Sequence, residues 1–149
     1  MSLKFTTMLL FIALFNFSAT SQNTSDFIVI DEIADHVSIS ENQMLEQTNV
    51  FHTNGIKLGA IKQISIALEN AEVEVLHIYV STKPGALVFN SQSVTSDRVV
   101  ECAEELRQWR SSVSQEVVIH SNVVFSGQEG ELLKQKLEEF TGLTFTAKI

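Results

Sequence analysis

Apolar and polar residues alternate along this chain in two different rhythms. Short runs rich in β-branched residues read as strands: "FIVID" (Phe27 to Asp31), "VEVLHIYVS" (Val73 to Ser81) and "VVIHS" (Val117 to Ser121). Between them apolar residues recur every three or four positions, as they do on one face of a helix. Ile61, Ile64 and Leu68 place one such helix within Ile56 to Asn70. Val99, Ala103, Leu106 and Trp109 place a second, and Leu133, Leu137 and Phe140 a third. The run from Val73 is apolar on both alternations, which predicts a strand covered on both faces at the middle of a sheet.

Weaker signals fill the gaps. "NVFHTNG" predicts a short strand closed by Gly55, and "LTFTAKI" a last strand after a helix that ends at Thr141-Gly142. Ser40 with Gln43, and Ser126 with Glu129, have the spacing of capping boxes, and Ser96-Asp97 can cap the helix that carries Trp109. Pro84-Gly85 forces a turn, after which "ALVF" and the polar "NSQSVTS" predict a small hairpin that displays something. Strands alternating with helices through connections of this length predict an α/β fold, a three-layer sandwich with a mainly parallel sheet joined by right-handed crossovers.

The first segment, "MSLKFTTMLLFIALFNFSATSQ", has a different character. One base, Lys4, precedes an apolar run from Met8 to Phe17 and then small residues, the build of a secretory signal. That run is about half of the roughly 20 residues a membrane span needs, so cleavage near Gln22 is expected, after Ala19 and Ser21, with no span left afterwards. No cysteine lies near that site, which argues against a lipid-anchored form. The expected organisation is a signal peptide over residues 1–21 and one domain over 22–149. A periplasmic or extracellular destination follows.

Charge and cysteine content narrow the partners. The chain carries a formal charge of −8, and −9 once Lys4 leaves with the signal. Such a field repels phosphate backbones, so nucleic acid is not expected as a partner. Cys102 is the one cysteine, so no internal disulfide can brace an exported domain, and the 44% of hydrophobic residues must supply its stability. Cys102 reads as a small core residue.

Candidate chemistry gathers beyond the carboxyl ends of the strands, where crevices open in parallel sheets. These ends present Asp31 and Glu32, Ser81 and Thr82, and Ser121 and Asn122. Asp31, Glu32 and Asp35 in "DEIADH" can bind calcium, or a divalent cation together with His36; a solvated acidic loop explains them equally. None of His36, His52, His77 and His120 has a metal-binding spacing, and each reads as a hydrogen-bonded structural histidine. His120 points to the opposite face from its neighbour Ser121 and so is a poor base for it. "SGQEGELL" lacks the lysine of a phosphate loop, and no cofactor is implied. Asn23-Thr24-Ser25 is a glycosylation sequon, meaningful only in a eukaryotic source.

"LHIYVSTKPGALVF" (Leu76 to Phe89) and "VVIHSNVVFSGQEGELLKQKLEEFTGLTFTA" (Val117 to Ala147) resemble a bacterial domain family of unknown function. That family is found near the N-terminus of large, surface or secreted, adhesin-like proteins with cadherin-type repeats. It is similar in turn to the caspase and gingipain peptidases, which implies a caspase-like fold. The resemblance implies a catalytic histidine-glycine pair at the positions of Ser81 and Thr82, and a nucleophilic cysteine at that of Ser121. All three differ here, and the adhesin-type repeats are absent. A serine cannot replace imidazole as a base near neutral pH, and a serine without a base is too weakly acidic to attack. The expectation is a non-catalytic exported domain with a degenerate peptidase-like site, binding an unknown protein or cell-surface partner, with Asp31, Glu32 and Asn122 as candidate contacts. The alternative is a serine hydrolase in which His36 or His52 activates Ser121.

Overall fold

The computed structural model describes residues 26–32, 34 and 49–149. The leader, the sequon, the capping signal at Ser40, and Asp35 and His36 lie outside the described residues. Strand β1 (Phe27–Asp31) and β2 (Val50–Thr53) are followed by helix α1 (Ala60–Leu68) and β3 (Val73–Tyr79). Three short strands come next, β4 (Ser81–Lys83), β5 (Ala86–Val88) and β6 (Ser93–Thr95). A 3₁₀ turn (Val99–Cys102) leads into α2 (Ala103–Trp109), then β7 (Val113–His120), α3 (Gly127–Thr141) and β8 (Thr144–Lys148).

The five long strands form a parallel sheet in the order β2-β1-β3-β7-β8, flanked by helices, consistent with the expected three-layer α/β sandwich. Strand β3 is central, as its composition predicts. The steps β2 to β3, β3 to β7 and β7 to β8 all advance in one direction across the sheet. Right-handed crossovers therefore put α1, α2 and α3 on the same face, and α2 touches both of the others.

That face holds the core. Phe27 and Val29 of β1, Leu76 and Ile78 of β3, Val117 and Ile119 of β7, and Phe145 of β8 pack against Ile61, Ile64 and Leu68 of α1, Leu106 and Trp109 of α2, and Leu133 and Leu137 of α3. The second face is different. Ile28, Ile30 and Val118 are buried there, but Val75, His77 and Tyr79 of β3 are only half-buried, so the strand is not covered equally on both faces.

The local departures from expectation have specific causes. Helix α1 begins at Ala60 because the Gln63 amide holds the preceding loop in shape. Its Oε1 accepts from the Asn54 N–H at 3.1 Å, and its Nε2 donates to the Asn54 and Leu58 carbonyls at 3.1 and 2.7 Å. Ser96-Asp97 caps nothing, since Arg98 in helical conformation precedes the 3₁₀ turn. Ser126 does stand at the N-cap of α3, yet its hydroxyl donates back to the Val123 carbonyl at 2.6 Å and no side-chain cap bond forms.

Strands β4, β5 and β6 form an antiparallel meander, wider than the hairpin expected. Gly85 turns it at φ 76°, a conformation that costs other residues a Cβ clash, and its N–H donates to the Val124 carbonyl at 2.9 Å. The far loop folds back. Gln92 Oε1 accepts from the Ile61 N–H at 3.1 Å, satisfying one orphan donor at the start of α1. The meander is thus tied to the turn after β7 at one end and to α1 at the other.

The candidate site at the strand ends

Asp31 ends β1 with the parity of the core face and is 2% exposed. A buried carboxylate needs donors, and it has them. The Thr53 hydroxyl donates to Oδ1 at 2.6 Å and the Asn90 N–H to Oδ2 at 3.0 Å. Glu32 Oε2 accepts from the Gly55 N–H at 3.1 Å and from Asn90 Nδ2 at 2.8 Å. Both acids therefore act as struts that bind the end of β1 to β2 and to the loop after β5. They anchor Asn90, at the start of the polar segment of the meander, to the strand end while Asn90 itself stays exposed. Among the described residues, no three or more His, Cys, Asp or Glu side chains gather in a way that could hold a metal ion.

Ser121 follows the last residue of β7 and is nearly buried. Its Oγ lies 2.7 Å from Thr82 Oγ1 and accepts from the Val123 and Val124 N–H groups, each at 3.1 Å. A hydroxyl has two acceptor positions and one proton. With both positions taken, the Ser121 O–H must donate to Thr82. The partner is thus Thr82 rather than Ser81, because Val80 is buried in the core and alternation brings Thr82 back to the core face. Asn122, the other expected contact, follows as an exposed turn residue.

No described histidine pairs with Ser121. His52 lies in β2, three strands from β7 in the sheet, which at about 4.8 Å per strand is roughly 14 Å. Its register with Ile30 also places it on the second face.

The second face carries a group that sequence reasoning took as separate structural residues. His77 Nδ1 and His120 Nε2 are 2.9 Å apart, and His77 Nε2 is 3.1 Å from Asp26 Oδ2. Tyr79 stacks on His120 with ring centroids 3.9 Å apart. The signal was present but diffuse. Each histidine sits on the alternation opposite the core residues of a central strand, and parallel pairing of His77 with Val118 sets His120 on the adjacent diagonal.

Burial, reinforced by His77 and then by Lys148, pushes His120 down to about 4 from the ordinary imidazole value near 6.5. Below pH 6.5 the unfolded chain therefore takes up a proton that the folded chain refuses. Stability is full above that value and falls as the pH drops towards 4. At 1.36 kcal/mol per unit, halved roughly for solvent screening at this half-buried site, the loss is about 2 kcal/mol. Urea titrations at pH 7.5 and 4.5 check it: His120→Gln should narrow the difference between the two by about 1 kcal/mol, the part of that loss reached by pH 4.5.

Residues 27–149 match the family described as Domain of unknown function (DUF4347). No match was found among curated proteins or among solved structures.

Proposed function

The chain belongs to the DUF4347 family, and we propose that it is an exported α/β domain that binds a protein or cell-surface partner without catalysis, on a scaffold related to the caspase-like peptidases. The observation that carries this reading is the saturation of Ser121. Both acceptor positions of Oγ are occupied by backbone N–H groups, its proton goes to a threonine hydroxyl, and no described imidazole pairs with it. Attack on a carbonyl needs a free lone pair and a base to take the proton. Thr82 is not such a base, because a neutral hydroxyl does not accept a proton near pH 7.

Export is supported by the N-terminal pattern of base, apolar run and small residues. The adhesin-like context of similar domains suggests a surface partner. Asn122 and the rim around it are the accessible part of the site.

The test combines both parts. Protein recovered from the periplasm or medium of a bacterial host should begin at Gln22 by mass spectrometry, and a serine-directed fluorophosphonate probe should leave it unlabelled. Labelling that disappears in Ser121→Ala, together with cleavage of a peptide or ester panel, would establish the serine hydrolase instead.

A further inference from the structure

From the second face of the sheet we infer that His77 and His120 form a site for a divalent transition-metal ion of the zinc class, independent of the strand-end site around Ser121. Two imidazole nitrogens on neighbouring central strands converge to 2.9 Å. Imidazole nitrogen is a preferred donor for zinc, with bonds of about 2.0–2.1 Å. A metal held by both nitrogens at a tetrahedral angle sets them about 3.3 Å apart, so the rings part by about 0.4 Å and each also turns to aim its lone pair at the metal rather than at the other nitrogen.

The remaining nitrogens and neighbours are placed to suit that role. A carboxylate accepts hydrogen bonds and donates none, so Asp26 Oδ2 at 3.1 Å fixes the proton of His77 on Nε2 and leaves Nδ1 as the lone pair. This is the carboxylate–histidine arrangement that orients metal-bound imidazoles. Tyr79, stacked on the His120 ring, limits its rotation. In the apo protein the single hydrogen between Nδ1 and Nε2 bridges the pair. On binding, it moves through solvent to Nδ1 of His120, and no net proton need be lost.

Lys148, beside His120 in β8, works against a cation, but its ammonium lies 3.9 Å from Glu116 Oε1 and is partly offset. The side chains of His77 and Asp26 are 21% and 40% exposed, so solvent reaches the edge of the group. Two protein ligands leave the other positions to water, which fits the lack of a third convergent donor among the described residues.

The experiment is calorimetric titration of Zn²⁺ into the full chain carrying no polyhistidine tag, with Mg²⁺ as the control that imidazole does not bind. One saturable Zn²⁺ site per chain is expected. It should weaken at least about tenfold in His77→Gln and in His120→Gln, and by about tenfold in Asp26→Asn, while His52→Gln leaves it unchanged. Nitrogen-15 shifts of the histidine rings in the unmutated protein provide a readout that does not depend on a variant folding. Only the rings of His77 and His120 should respond: His77 Nδ1 and His120 Nε2 through the metal, and His120 Nδ1 through the proton it takes up. Absence of a saturable site, shifts confined to other histidines, or zinc affinity retained in the double variant would overturn the assignment.

Discussion

Gly130→Ala should lower the free energy of unfolding by about 3 kcal/mol, although alanine is the better helix former. Gly130 is the fourth residue of α3 and is buried. In an unobstructed helix the substitution would contribute about 1 kcal/mol of added stability. Here a Cβ would stand 2.3 Å from the carbonyl carbon of Phe125, 2.7 Å from its Cα and 2.8 Å from its oxygen. These are backbone atoms of the turn after Ser121, and no rotamer change moves them. Relief requires α3 to back away from that turn, which overpacking data put at several kcal/mol. The turn also carries the Val123 and Val124 N–H groups that saturate Ser121, and the Val124 carbonyl that holds Gly85. Urea denaturation of the two proteins measures the loss. A variant as stable as the parent would show that α3 slides freely over the turn.

Trp109→Ala should cost still more, about 4 kcal/mol. The indole is 1% exposed and sits where α2 meets α1, with Nε1 donating to Ser65 Oγ at 2.8 Å. Its removal leaves a cavity in a close-packed interior, a change that costs 3–5 kcal/mol for large aromatics. It also removes a donor from Ser65, whose own proton goes to the Ile61 or the Glu105 carbonyl. Trp109→Phe separates the two terms: the ring volume is mostly kept and the hydrogen bond lost, for about 2 kcal/mol. Because Trp109 is the single tryptophan of the chain, the variants must be followed by circular dichroism rather than by indole fluorescence.

These residues also show what can be read from a sequence and what cannot. Trp109, Leu106 and Leu133 announce themselves through helical spacing, since burial of one face imposes a period that survives in the linear order. The central place of β3 is legible for the same reason: a strand rich in apolar residues on both alternations has no stable place at an edge. Cap signals are less reliable, because the Ser126 hydroxyl has a choice between accepting from the helix N–H groups and donating to a nearby carbonyl. The turn geometry at Val123, set by α3 packing through Gly130, makes that choice.

Pairings across strands are the least legible. His77 and His120 are 43 residues apart, and their contact exists only once β3 and β7 are parallel and in register. The partner of Ser121 is hidden in the same way. Counting along the family pattern points to Ser81, but alternation past the buried Val80 turns Thr82 towards Ser121. A carboxylate such as Asp31, prominent at a strand end, reads from sequence as a free ligand. Burial against Thr53 and Asn90 makes it a strut.

Cys102 has a consequence for how the molecule can be observed. The thiol is 5% exposed, its hydrogen is given to the Val99 carbonyl at 3.3 Å, and burial together with Glu105 raises it to about 11. Alkylating reagents act on the thiolate, and only when they can reach it. In the native state the chain is therefore silent towards them, and each modification event records an opening of the layer between α2 and the sheet. One sulfur thus serves as a built-in clock for that opening, and a second cysteine placed anywhere on the surface can carry a probe without competition from the first.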